Sequence, residues 1–172
     1  MQWLRKLLNI KPQRALDFSD VQDDWVNLDI SVEEARTQAQ FKLQTALYIK
    51  KIAKPCDDVT VLNLLPPCLQ EVFHIYERIE FEANDYWLER PSQENVFKIG
   101  NRTFIGIGVM NNLYVEAHQE TVYDVEYPLY ETDAPEVMED FLHLLDSADF
   151  QYSSVYHWMI TVCRFLEKYK SS

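Results

Sequence analysis

The chain has only three glycines among its 172 residues. A phosphate-binding loop needs glycines where backbone approaches phosphate, and none of the required spacings occurs. Gly106-Ile107-Gly108 begins a dinucleotide fingerprint, but Asn111 stands where the third glycine belongs. No G-x-S-x-G nucleophile elbow can be written either. Cysteine is as sparse: Cys56, Cys68 and Cys163 are an odd number at unrelated spacings, the pattern of reduced thiols in a cytoplasm. No window approaches the ~18 apolar residues of a membrane helix. The stretch Met1-Gln2-Trp3-Leu4-Arg5-Lys6-Leu7-Leu8 lacks the apolar core and cleavage site of a secretion signal. A cytoplasmic protein without a membrane partner is the expectation.

Cations are the second scarcity. Sixteen Lys and Arg against 28 Asp and Glu leave a net charge of −12. From Thr103 to Cys163 there is no Lys or Arg. The same stretch holds Glu116, Glu120, Asp124, Glu126, Glu131, Asp133, Glu136, Glu139, Asp140, Asp146 and Asp149. Affinity for phosphates comes from cationic side chains, so direct binding to nucleic acid is excluded as an expectation. Acidic surface often serves solubility alone. A stretch this long without one cation should also project a negative field that steers a basic partner.

Apolar residues make up 47% of the chain and aromatics 13%, enough for a sizeable core, so a disordered or fibrous protein is ruled out. Residues 1–30 read as an N-terminal extension: one or two amphipathic turns through Trp3, Leu4, Leu7 and Leu8, then an acidic loop. Ser31-Val32-Glu33-Glu34 is a capping box that opens a helix. Val32, Ala35, Ala39, Leu43, Ala46 and Ala53 keep helical spacing, with Phe41, Tyr48 and Ile52 as a second stripe, which predicts a helix over 31–54 that Pro55 stops. Lys50, Lys51 and Lys54 then suit the negative end of its dipole.

Residues 59–65 read as an extended approach to a second helix, opened by Pro66-Pro67 and buried through Leu69, Val72, Phe73 and Tyr76. Between Glu77 and Glu89 the period is ambiguous, leaning to strand near 86–89. Residues 96–127 read as an antiparallel meander with turns at Gly100-Asn101, Asn111-Asn112 and His118–Glu120. Two helices follow, one opened by Asp133-Ala134-Pro135-Glu136 and buried through Val137, Met138, Phe141, Leu142 and Leu145. The other is capped by Ser153 or Ser154 and buried through Val155, Trp158, Met159, Val162, Phe165, Leu166 and Tyr169. This order predicts a single α+β domain over 31–172, a mostly antiparallel central sheet flanked by helices.

Catalytic constellations are incomplete. His118-Gln119-Glu120 matches half of a zinc deaminase motif, but Pro55-Cys56 and Pro67-Cys68 lack the second cysteine three residues on. Asp140 and His143 share a helical face at the i, i+3 spacing of di-iron proteins, without the other ligands. Glu116, Asp124 and Glu126 could approach one another on the sheet, but nothing in the sequence buries one to raise its pKa. His74 and His157 lie among apolar helical residues, where a core or boundary role is the default. The expectation is a non-enzyme with no metal and no cofactor. Six of the ten tyrosines, 114, 123, 127, 130, 152 and 156, lie in the cation-free stretch. Most belong to a core, and some can join carboxylates in an interface for Arg- and Lys-rich proteins. The surface so defined comprises Tyr114, Glu116, Asp124, Glu126, Tyr127, Tyr130, Glu131 and Asp133.

Several short motifs resemble the SUKH superfamily. Leu65-Pro66-Pro67-Cys68-Leu69-Gln70-Glu71-Val72-Phe73 is similar to its helix start, and Phe97-Lys98-Ile99-Gly100, Ile105-Gly106-Ile107 and Val122-Tyr123-Asp124-Val125 to its central strands. Met138-Glu139-Asp140-Phe141-Leu142-His143-Leu144-Leu145 is similar to its late helix. The likeness covers about residues 58–146; the Asn-Gly pair expected after the first helix is absent, and residues 1–30 look added. The resemblance implies an α+β fold and, for many bacterial members, an immunity protein that blocks a cognate toxin, often nucleic-acid-targeting, by occlusion. Other members are similar in fold but act as regulatory or scaffold domains.

Overall fold

The computed structural model describes residues 28–56, 59–81, 86–108, 113–125, 140–143, 145 and 151–170, with the side chains of 169 and 170 left aside. The expected N-terminal turns, the Asn111-Asn112 turn, the Asp133–Glu136 cap, Val137, Met138 and Tyr169 lie outside what is described.

The first helix, α1 (Val32–Thr45), starts as the capping box predicts, with the Ser31 hydroxyl accepting from the Glu34 amide. It ends nine residues earlier than its apolar spacing suggests. Ala46 takes an extended conformation, and Ile49–Ala53 forms strand β1. The cause is non-local. Strand β2 (Tyr76–Phe81) pairs antiparallel with β1 and places Glu80 opposite Lys50. Lys50 and Lys54 then bond Glu80 at 2.9 Å and Glu77 at 2.7 Å, so these lysines serve cross-strand pairs instead of a helix terminus. Phe41, expected in a second buried stripe, is 60% exposed.

The approach to the second helix is a 3₁₀ turn at Leu62–Leu64 instead of an extended segment. Helix α2 (Pro67–Ile75) follows, with Pro67 in its first turn, where a missing N–H costs nothing. It runs directly into β2, which settles the ambiguous 77–89 region as strands: β2 pairs with β3 (Tyr86–Glu89) in a sheet ordered β1-β2-β3. Arg90 ties this unit together. Its guanidinium donates to the carbonyls of Phe73, Pro55 and Lys54, at the ends of α2 and β1.

The meander forms as expected: β4 (Val96–Ile99), β5 (Arg102–Gly108), β6 (Leu113–Glu116) and β7 (Val122–Asp124), all antiparallel. Gly100 carries the first turn at φ +61°, and His118 the third at φ +63°. A short strand, β8 (Gln151–Tyr152), pairs with β7 and completes a sheet ordered β4-β5-β6-β7-β8. Helix α3 (Val155–Lys170) closes the fold. Ser154 caps it, its hydroxyl accepting from the His157 amide.

Both faces of the five-stranded sheet are covered. Ile105, Ile107, Leu113, Val115, Val122 and Tyr152 face the main core, shared with α1, α2, the three-stranded sheet and α3. Phe104, Tyr114 and Val125 face a second core with Phe141 and Leu145, from the helical segment at 140–143 and just beyond. Phe141 meets Phe104 and Tyr114 edge to face. The architecture is a single α+β domain.

Helix α3 is buried on more sides than the predicted stripe. Tyr156, His157, Ile160, Thr161 and Cys163 are withdrawn from water together with the expected positions. His157 is satisfied by Ser154 and by the Ile30 carbonyl, the core role expected of it, whereas His74 is exposed. Trp158, 0% exposed, stands edge-on to Phe81 at 5.5 Å and joins α3 to the three-stranded sheet. The two sheets touch where Gly108 meets the Trp87 carbonyl, which would lie 2.9 Å from a Cβ at that position.

Gly108→Ala should therefore push β3 and β5 apart and cost about 1–3 kcal/mol in denaturant unfolding. Gly106→Ala, whose Cβ would meet only ordinary contacts from 3.6 Å outward, should change stability by less than about 1 kcal/mol. Equal losses in the two variants would contradict this account of the sheet contact.

Candidate functional site

Three of the eight residues read from the sequence as a partner surface lie in the described strands: Tyr114, Glu116 and Asp124. Strand alternation gives them two destinations. On β6, Leu113 and Val115 face the main core, so Tyr114 and Glu116 face the opposite side. On β7, Val122 faces the main core, and Asp124, two residues on, points the same way.

Tyr114 is 4% exposed, edge-on to Phe97 and Phe141 with centroids at 6.2 and 5.1 Å. It fills the second core and is removed from the partner surface. Glu116 is not free either. Arg102, on the neighbouring strand, donates to both of its carboxylate oxygens at 3.1 and 2.8 Å, and its guanidinium covers the Phe104 ring. The cation lies one position before the cation-free stretch, which is how a sequence boundary concealed the pairing.

Asp124 departs furthest from the expectation. The residue is half-buried, and Tyr86 of β3, Tyr152 of β8 and Trp158 of α3 lie near enough to interact electrostatically with its carboxyl. Burial pushes this carboxyl up to about 7. The Trp158 indole N–H completes no regular hydrogen bond, yet lies near enough to favour the charged form, by less than burial opposes it. Burial also raises the Tyr86 and Tyr152 hydroxyls, and the Asp124 charge adds to the effect. Sequence reasoning found Asp124 but missed its three neighbours and its burial. The signal was the alternation itself, since Val122 and Asp124 share a face.

The carboxylate pair imagined on the sheet does not form from Glu116 and Asp124. They lie on opposite faces, and Asp124 pairs with Leu113 at the far end of β6 from Glu116. Glu126, Tyr127, Tyr130, Glu131 and Asp133 lie outside the described residues. Asp140 and His143 are both exposed.

The half-motifs for zinc come closer together than the sequence implies. The Cys68 thiol donates to Glu120. Burial first, and Glu120 second, raise the thiol far above its usual range, so it stays protonated and is a poor ligand or nucleophile. His118 is exposed on its turn. Among the described residues no group of three or more His, Cys, Asp or Glu stands where it could hold a metal ion.

Two charged networks fasten α1, which is polar and buries only Ala35, Ala39 and Leu43. Glu71 of α2 accepts from Arg36 at 2.7 Å and from the Tyr156 hydroxyl at 2.8 Å, and these bonds hold its carboxyl below the usual range. Glu167 of α3 accepts from Lys42 and Tyr48. Burial works against its charge, but the two donors outweigh that and lower its pKa.

Comparison of the chain with protein-family models, curated proteins and solved structures finds no match. Among the described residues no helix is long and apolar enough to cross a membrane.

A core role for Tyr114 has a measurable consequence. Tyr114→Ala should lower the unfolding free energy by about 3–5 kcal/mol, the cost of emptying a large aromatic site. A change within about 0.5 kcal/mol, typical of a surface position, would return Tyr114 to the partner surface.

Proposed function

We propose that this chain is a non-catalytic binding protein that holds a cation-rich protein domain against its acidic segment 126–133. In the form that the SUKH resemblance suggests, it is a cytoplasmic bacterial immunity protein that occludes a basic, nucleic-acid-targeting toxin. No cofactor or metal enters this reading.

The observation that carries the reading is how the cations are spent. Arg36, Lys42, Lys50, Lys54, Arg78 and Arg102 each pair with a carboxylate, and all of those carboxylates except Glu116 lie outside the stretch 103–163. Arg90 and Lys51 donate to backbone carbonyls. Each of these eight described cations thus has a partner of its own, and Glu126, Glu131 and Asp133 add three negative charges within eight residues of sequence. Tyr127 and Tyr130 stand among them in the sequence. Tyrosine and carboxylate together suit arginine-rich surfaces through hydrogen bonds and cation–π contact. A nuclease or deaminase domain needs cations to hold phosphates, and the acidic segment would compete for those same groups. No disulfide joins the described cysteines, Cys56, Cys68 and Cys163, which suits a reducing compartment.

The partner surface is accordingly smaller than the sequence suggests: Glu126, Tyr127, Tyr130, Glu131 and Asp133, without Tyr114, Glu116 or Asp124. A pull-down with the C-terminal domain of a toxin encoded beside this chain should retain it. Combined charge reversal, Glu126→Lys, Glu131→Lys and Asp133→Lys, should weaken the complex at least about tenfold near physiological salt and flatten its salt dependence. Unchanged affinity and salt dependence would rule this surface out.

A further inference from the structure

Helix α1 is attached through little apolar surface. Of its 14 residues only Ala35, Ala39 and Leu43 are buried, and two of these bring nothing larger than a methyl group. Its one aromatic, Phe41, is exposed. A polar helix of this length is marginal in water on its own, so it stays helical only while it is docked.

Charge does much of the docking. Tyr156, Ile160, Cys163 and Glu167 recur at i, i+4, i+7 and i+11 and form one face of α3. At one end of that face the Tyr156 hydroxyl donates to Glu71, which also accepts from Arg36 at 2.7 Å and from Gln40 at 3.4 Å. At the other end Glu167 accepts from Lys42 and from Tyr48, three residues past the helix. Arg36 and Lys42 therefore clasp α1 along this face. Between the clasps on α3 lie Ile160 and Cys163, both buried, and the thiol has Tyr48, Glu167 and Lys42 as neighbours.

The chain on either side of α1 is held by other means. Before it, Ile30 packs against the main core, and its carbonyl meets His157 Nε2 at 3.0 Å. After it, β1 is paired with β2, and Arg90 holds the carbonyls of Lys54 and Pro55. Leu47, 99% exposed, marks the turn between α1 and β1, and Lys51 bonds the Leu43 carbonyl at that end.

We propose that α1 is a strap fastened by two ionic clasps: it opens as a unit between fixed ends when they release, and opening bares Cys163 to solvent.

The two buried thiols distinguish this motion from unfolding of the whole chain. Cys163 lies on the face that α1 clasps. Cys68, on α2, is bonded instead to Glu120 beyond β6. Global unfolding exposes both thiols, whereas opening of the strap exposes Cys163 alone.

Hydrogen exchange and iodoacetamide labelling of the native full-length chain, both mapped by mass spectrometry, test the strap. In wild type, α1 amides should exchange at least about tenfold faster than those of β5, and Cys163 should label faster than Cys68. The double variant Arg36→Gln and Lys42→Gln removes both clasps from α1 itself and keeps good helix formers. It should speed α1 exchange and Cys163 labelling together by about tenfold, the combined effect of two modest charged contacts, and leave β5 exchange and Cys68 labelling unchanged. Wild-type α1 amides as protected as those of β5 would overturn the strap without recourse to any variant. Equal acceleration of Cys163 and Cys68, or faster α1 exchange with no change at Cys163, would overturn it as well.

Discussion

Burial of α3 is the constraint on which the other elements depend. A helix with apolar surface around nearly its whole circumference cannot stop at one sheet. It takes the five-stranded sheet on one side, α1 and α2 on others, and reaches the three-stranded sheet through the Trp158–Phe81 contact. Its polar residues are matched inside the fold: Tyr156 to Glu71, His157 to Ser154 and Ile30, Thr161 to the His157 carbonyl. The exception is Trp158 Nε1, a buried donor without a regular hydrogen bond.

Charge is divided between structure and surface. On the three-stranded sheet and α1, opposite charges sit side by side and hold elements in register: Lys50 with Glu80, Lys54 with Glu77, Arg36 with Glu71. Exposed pairs of this kind contribute little each, and their effect is to choose one register over another. They also consume cations. Negative charge is what remains, and the chain concentrates it after Thr103.

Most of the fold was legible because local signals agreed with tertiary ones. Pro66-Pro67 opened α2, the turns at Gly100 and His118 punctuated the meander, and the stripe through Trp158 and Phe165 marked α3. Strand β1 was hidden because Ile49–Ala53 continues the spacing of α1, and only β2, more than twenty residues on, supplies its partner. The site was legible in part. A window free of cations looked like an exposed face, yet alternation turned the half-buried Asp124 to the same side as Val122, and Arg102, just outside the window, neutralised Glu116. Tyr114 was read as surface because its carboxylate neighbours are polar; the second core that covers it comes from Phe141 and Leu145, a segment remote in sequence.

The central functional claim is that a cation-rich protein sits on the acidic segment. Zero-length carbodiimide cross-linking of the complex, mapped by mass spectrometry, joins partner lysines only to carboxylates in direct salt-bridge contact. The account predicts links at Glu126, Glu131 and Asp133. Links confined to carboxylates outside the stretch 103–163, such as Glu33 or Glu94, would contradict it.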